Sequence, residues 1–143
     1  MRLGVTVGVV LAWLMALSCY DIRTRRLPNA LTLPGAGVIL LAAGFAGRGL
    51  PALAGAAALA AVYLLVHLAA PAAMGAGDVK LAVGLGGLAG CFGVGVWFLA
   101  ALVAPLLTAL LGLGVRVCTG ALTVPHGPSM CVATAAAVGL VVV

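Results

Sequence analysis

The segment Gly75-Ala76-Gly77-Asp78-Val79-Lys80 decides the interpretation of this chain of 143 residues, because it places a carboxylate within a very apolar sequence. Asp78 is one of only two acidic residues, and the other, Asp21, ends the first apolar run. The chain is 66% hydrophobic and 6% charged. Ionisable groups at membrane depth are costly and usually mark a functional site. The two acids therefore suggest a pair that works together.

The composition predicts the fold class. Long uncharged runs exclude an ordinary soluble domain and indicate an integral membrane protein. A spanning helix needs about 20 apolar residues, so the chain has room for about six helices with short loops. The alternating pattern of a membrane barrel is absent, which leaves helices as the spanning form. We predict an all-α integral membrane protein with about six transmembrane helices in a single bundle, in which residues 1–143 form one polytopic domain.

The breaks between apolar runs predict where the spans lie. No residue between Leu81 and Val115 is charged. A single helix there would measure about 52 Å, well beyond the hydrocarbon core, so two helices of about 16 residues are expected. Their reversal should lie near the glycines at 90, 93 and 95. The predicted spans cover residues 3–20, 31–46, 52–70, two helices within 81–115, and a last span ending at Val143.

The first apolar run has an alternative interpretation as a cleavable signal peptide. Arg2 precedes the run, and Ala16-Leu17-Ser18-Cys19 is weakly similar to a processing site. However, Arg23, Arg25 and Arg26 follow the run directly, and basic residues favour the cytoplasmic side. We therefore expect the segment to be retained, with its N-terminus outside.

Counting spans places the two acids on one face of the membrane. Asp21 follows the first span and Asp78 follows the third, so both emerge on the same side. Five basic residues fall on that side and two on the other, which makes it the cytoplasmic side. The five are Arg23, Arg25, Arg26, Lys80 and Arg116, against Arg2 and Arg48.

Paired carboxylates can carry out water-mediated peptide hydrolysis. Two like charges about 3 Å apart cannot both ionise, so the pair shares one proton. One carboxylate then takes a proton from water while the other polarises the scissile carbonyl, and neither a metal nor a cofactor is needed. Gly75 and Gly77 would allow backbone or substrate to approach Asp78 closely.

Structural roles for the two acids remain open alternatives. Asp78 follows a glycine turn and precedes an apolar run, as a helix N-cap does. Asp21 could pair with Arg25 at the membrane interface. Each role is compatible with catalysis, because a capping carboxylate can also be held ready for reaction.

Three ordered segments resemble one known family. Residues 75–80 are similar to a G-x-G-D-x-K motif, and Asp21 is followed by basic residues, Pro28-Asn29 and a Leu-Thr-Leu-Pro continuation. Val124-Pro125-His126-Gly127-Pro128 is similar to a late Pro-Phe-Gly-Pro segment, with histidine in place of the usual aromatic residue. Together they resemble the type IV prepilin peptidases, which are intramembrane aspartic proteases, over residues 15–132.

The resemblance implies a function and a set of site residues. Asp21 and Asp78 would be the catalytic pair. The substrate would be a prepilin-like precursor (pilin, pseudopilin or Flp-type) whose short basic leader is removed at the cytoplasmic face of the cell membrane. The chain resembles the short, peptidase-only members, with the lipid bilayer as a further partner and no role for nucleic acid. The supporting motif residues would be Gly75, Gly77, Lys80, Pro28, Asn29, Pro125, Gly127 and Pro128.

Two other functions compete with the protease. A small proton-coupled transporter or channel would also use membrane carboxylates, but it would not explain the Pro-Asn and Gly-Pro segments. A non-enzymatic subunit of a secretion machine is the other alternative. The arginines after Asp21 are interpreted as positive-inside anchors, because they would repel a basic leader. His67 is expected to be a packed core residue, and His126 has no identifiable metal partners.

The topology can be tested with a native cysteine. If residues 81–115 form two helices, Cys118 lies on the cytoplasmic side beside Arg116. A membrane-impermeant thiol reagent should then miss Cys118 in intact cells and label it after permeabilisation. Labelling from outside would show a single span instead, and would move the Pro125–Pro128 segment away from the aspartates.

Overall fold

The computed structural model describes residues 2–72, 74–121 and 123–143, and the chain is all-α in these ranges. No strand occurs there, which confirms the prediction of an all-helical protein with six helices. The helices are α1 (Arg2–Thr24), α2 (Asn29–Phe45), α3 (Gly49–Ala69), α4 (Ala76–Cys91), α5 (Val94–Thr119) and α6 (Gly127–Val142).

Three of these helices, α1, α3 and α5, are long and apolar enough to cross a membrane. Helices α2 and α6 are apolar but shorter, with 17 and 16 residues. Large apolar side chains cover the outer surface. On α5, for example, Leu102, Leu106, Leu110 and Leu113 are all exposed and recur every three or four residues along one face. Such a face suits contact with lipid, as expected for a multi-pass membrane protein.

The uncharged stretch forms two helices, as predicted, but the second is longer than expected. Helix α4 ends at Cys91 and α5 begins at Val94, with Gly93 between them at φ +113°, a conformation that favours glycine. Helix α5 has 26 residues rather than about 16. It continues through Pro105, which membrane helices tolerate, and ends at Gly120, whose φ is +75°.

Helix α4 is the axis of the bundle. It packs against α2, α3, α5 and α6, and its side chains at Leu81, Ala82 and Leu85 are fully buried. A helix of this composition can be enclosed because half of its buried positions are glycine, which leaves room for neighbouring backbones. The first turn of α4, which carries Asp78, is therefore held by packing along the whole helix.

Glycine contacts bring α3 and α4 together. A Cβ added to Gly86 would lie 2.5 Å from the carbonyl oxygen of Gly55, and one added to Gly90 would lie 2.6 Å from that of Pro51. The Nε1–H of Trp97 donates to the Gly55 oxygen at 2.9 Å, so α5 joins the same contact. Only glycine fits at positions 55, 86 and 90 of this interface.

Replacement of Gly86 by alanine should destabilise the bundle. A Cβ at 2.5 Å from a backbone oxygen forces the helices apart, and overpacking of this kind costs about 1–3 kcal/mol. This outweighs the gain of about 0.5–1 kcal/mol from replacing a helical glycine by alanine. Thermal unfolding in detergent measures the effect.

Gly114→Ala provides the matched control, because nothing lies within 4 Å of a Cβ at Gly114 in α5. That variant should unfold at the same or a higher temperature than the unmodified protein. Equal melting temperatures for Gly86→Ala and Gly114→Ala would contradict the close contact between α3 and α4.

Candidate active site

Both acidic side chains lie at the same end of the bundle. Asp21 is in the last turn of α1 and Asp78 is in the first turn of α4. They line one open cavity of about 730 Å³, and they are near enough for the charge of Asp21 to act on Asp78. The chain thus brings together two carboxylates that are 57 residues apart in sequence (78 − 21).

Asp21 is buried and is held by the start of another helix. Only 6% of its surface is exposed. The backbone N–H of Gly127, the first residue of α6, donates to its Oδ2 at 2.9 Å. The N–H groups of a first turn lack partners within their own helix and favour negative charge, so the carboxylate stabilises α6 while α6 stabilises the carboxylate.

Glycine is required at the contact with Asp21. A Cβ on Gly127 would lie 2.5 Å from Asp21 Oδ2, well inside van der Waals distance. The next residue, Pro128, has no N–H, which costs nothing in the first turn of a helix. The late segment therefore offers one donor to Asp21 and keeps the approach clear.

In the described part of the chain Asp21 and Arg25 make no direct ion pair, although the charge of Arg25 still acts on the Asp21 carboxyl group. The guanidinium of Arg25 instead donates to Oγ1 and O of Thr123, at 3.1 and 3.2 Å. Arg25 has φ +55°, unusual for a residue with a side chain. Its contact with Thr123 ties the end of α1 to the loop that precedes α6.

Asp78 is half-buried and lies within the helix, so the N-cap interpretation is wrong. Gly75 is the N-cap of α4, and Ala76 and Gly77 are already helical rather than part of a turn. Asp78 is the third residue of the helix, and its Oδ2 is turned back to 3.7 Å from the Cβ position of Gly75. An acid in the first turn is stabilised by the helix dipole.

The supporting residues of the first two motifs meet at the wall of this cavity. Lys80 Nζ donates to Asn29 Oδ1 at 2.9 Å. A Cβ on Gly77 would lie 3.2 Å from the Cβ of Leu27. Pro28, which has no N–H to leave unpaired, is the N-cap residue of α2. The segment after α1 thus contacts the first turns of α4 and is held against them.

The late segment contributes its residues unequally. Gly127 contacts Asp21, whereas Pro125 and Pro128 are half-buried and do not line the cavity. His126 is hydrogen-bonded through both ring nitrogens, to the Tyr63 hydroxyl at 2.9 Å and to Thr108 Oγ1. Burial lowers the pKa of His126, which favours the neutral imidazole.

The sequence analysis did not identify some of the residues around the site. Tyr63 and Thr108 lie in apolar helices, where a phenol or hydroxyl that is shielded from water needs a partner. The sequence therefore indicated that each of these two hydroxyl groups has a hydrogen-bond partner, but it did not indicate which residue the partner is. Likewise, Thr123 gave no sign that it would bind Arg25. His67 is partly buried and hydrogen-bonded to the Met74 carbonyl through Nδ1, as expected of a packed residue.

The chemistry of the cavity is that of two carboxylates among cations. Arg25, Arg26 and Lys80 also line it, so negative charge on the acid pair is partly balanced. In residues 2–72, 74–121 and 123–143, no three His, Cys, Asp or Glu side chains converge as metal ligands would. The arrangement can exchange protons with a water molecule and with a carbonyl oxygen.

Comparison with known proteins identifies the family. The model of the type IV leader peptidase family matches residues 8–113, about three quarters of the chain, including both aspartates. The late segment at 124–128 lies beyond the matched residues. No curated protein and no solved structure matches the chain. On the extent of the family match, this chain belongs to the type IV leader peptidase family.

Proposed function

We propose that this protein is an aspartic endopeptidase that removes the leader peptide of prepilin-like precursors, with Asp21 and Asp78 as the catalytic pair. The observation that carries the proposal is the single cavity that both carboxylates line. These are the only two acids in the chain, and the family match makes the protein a peptidase.

The pair would act on a water molecule and a peptide bond. Two neighbouring carboxylates hold one proton between them. Asp21, which accepts an N–H from Gly127, is the partner better suited to carry the negative charge. Asp21 takes a proton from water as the oxygen attacks the scissile carbonyl, and protonated Asp78 donates its proton to the carbonyl oxygen. Breakdown of the tetrahedral intermediate passes a proton to the leaving amine and restores the pair.

The position of the cavity suits a substrate with an apolar helix. The cavity opens where α1 ends and where α2 and α4 begin, so it lies at the end of the apolar bundle. A peptide bond just before a membrane helix of the substrate would reach this level. The cavity's cations Arg25, Arg26 and Lys80 support a cytoplasmic location by the positive-inside rule.

Asp21→Asn and Asp78→Asn should each abolish cleavage of a prepilin-like substrate by the purified protein. Each change keeps the shape of the side chain but removes the group that exchanges a proton. General acid–base catalysis contributes about 10²- to 10⁴-fold, so losses at least this large are expected. The double variant should be no worse than the single ones, because the two acids act as a unit.

Near-normal turnover by either single variant would contradict the paired mechanism. Proton flux through vesicles that contain the purified protein, without any cleavage, would favour the transporter alternative. Insertion and melting temperature of each variant, compared with the unmodified protein, separate a catalytic loss from misfolding.

Gly127→Ala should reduce turnover while membrane insertion is retained. The new Cβ would displace Asp21 Oδ2 and break a hydrogen bond to a charged group. Such bonds contribute about 1.5–3 kcal/mol, so turnover should fall by about 10-fold or more.

Gly139→Ala is the matched control in the same helix, because nothing lies within 4 Å of a Cβ at Gly139. It should cleave at the normal rate. Equal activity of Gly127→Ala and Gly139→Ala would show that the α6 N-terminus does not support Asp21.

A further inference from the structure

His126 joins three helices beside the acid pair without lining its cavity. Its Nε2 lies 2.9 Å from the hydroxyl of Tyr63 in α3, and its Nδ1 is hydrogen-bonded to Thr108 Oγ1 in α5. Its backbone is the N-cap of α6, and its carbonyl oxygen accepts the N–H of Met130 at 3.1 Å. Side chain and backbone of one residue thus connect α3, α5 and α6.

One assignment of protons satisfies all the hydrogen bonds around His126. Thr108 Oγ1 donates to the carbonyl oxygen of Ala104 at 3.1 Å. In this assignment the single hydroxyl hydrogen of Thr108 is directed to Ala104, and Thr108 Oγ1 accepts from Nδ1–H of His126. In neutral imidazole the other nitrogen, Nε2, is then the acceptor for the Tyr63 hydroxyl. With these assignments every polar atom in the group has a partner.

We propose that His126 is a positioning residue for Asp21: by binding Tyr63 and Thr108 it holds the first turn of α6, and hence the Gly127 N–H, against the carboxylate. Because Gly127 follows His126 directly, a shift of the His126 side chain would also move the Gly127 N–H. The consequence for cleavage rests on the proposed function, whereas the consequence for the Gly127 N–H does not.

The loop that leads to His126 is held at its other end as well. Arg25 binds Thr123 through two hydrogen bonds, close to the end of α1 that carries Asp21. The N–H of Arg25 also donates to the Asp21 carbonyl oxygen at 2.9 Å. Arg25 lies at the surface and can only locate the loop relative to α1. His126 is the link that locates it relative to α3 and α5.

Tyr63→Phe and Thr108→Val test the proposal, because each removes one partner of His126 and leaves the cavity lining unchanged. Each should lower kcat by about 3- to 10-fold, the effect of one lost hydrogen bond, with KM unchanged. Amide hydrogen exchange of Gly127, followed by nitrogen-15 NMR, should become faster in both variants because its bond to Asp21 opens more often.

Two further variants separate positioning from general loss of structure. Thr108→Ser keeps the hydroxyl and should restore both kcat and the slow exchange. Thr119→Val is the control in the same helix: Thr119 makes the same type of bond, to the Val115 carbonyl at 2.7 Å, and accepts the Ala121 N–H at 3.4 Å, but it makes no hydrogen bond to His126. It should behave like the unmodified protein.

Gly127 exchange at the unmodified rate in Tyr63→Phe and Thr108→Val would overturn the inference, whatever their activity. Failure of Thr108→Ser to restore exchange would also overturn it. If the unmodified protein does not cleave, the proposed function fails and the exchange measurement still decides the role of His126. If Thr108→Val does not fold, Tyr63→Phe, which removes a single oxygen, carries the test.

Discussion

One hydrogen bond, from the Gly127 N–H to Asp21 Oδ2, links the two ends of the chain and completes the site. Helix α1 buries few side chains, namely Leu14, Leu17 and Asp21, so packing alone does little to locate its last turn. The N-terminus of α6 supplies both a donor and a favourable electric field for a buried carboxylate. Asp21 therefore needs α6, and the first turn of α6 needs Asp21. The contacts of the preceding loop with α1, α3 and α5 determine where the first turn of α6 lies.

The second carboxylate is located in a different way. Asp78 lies on the most enclosed helix of the bundle, where Leu81 and Leu85 are fully buried just below it. Glycine contacts between α3 and α4 hold the backbones of the two helices close together. The pair thus combines one acid held by hydrogen bonding with one held by packing. This difference suits the different roles that we propose for the two carboxylates.

The number of helices and the location of both acids at one end follow from local patterns. Proline, glycine and charged residues interrupt the apolar runs, and counting spans brings Asp21 and Asp78 to the same side. Boundaries were harder to predict: Gly77 was expected in a turn but lies within α4, close to Leu27. The bond between Asp21 and Gly127 spans 106 residues, and no local pattern encodes it. Similarly, a lone tyrosine or threonine in an apolar helix indicates that a hydrogen-bond partner exists but not which residue it is.

The contact between Asp21 and Gly127 can be measured directly in lipid bilayers. Because the chain has two aspartates, carbon-13 labelling of their carboxyl carbons gives two side-chain signals, which Asp78→Asn assigns. Solid-state NMR transfer from nitrogen-15-labelled glycine should connect one glycine amide to the Asp21 carboxyl carbon, and Gly127→Ala should remove that signal. Absence of any transfer from a glycine amide to Asp21 in the unmodified protein would contradict the arrangement on which the site depends.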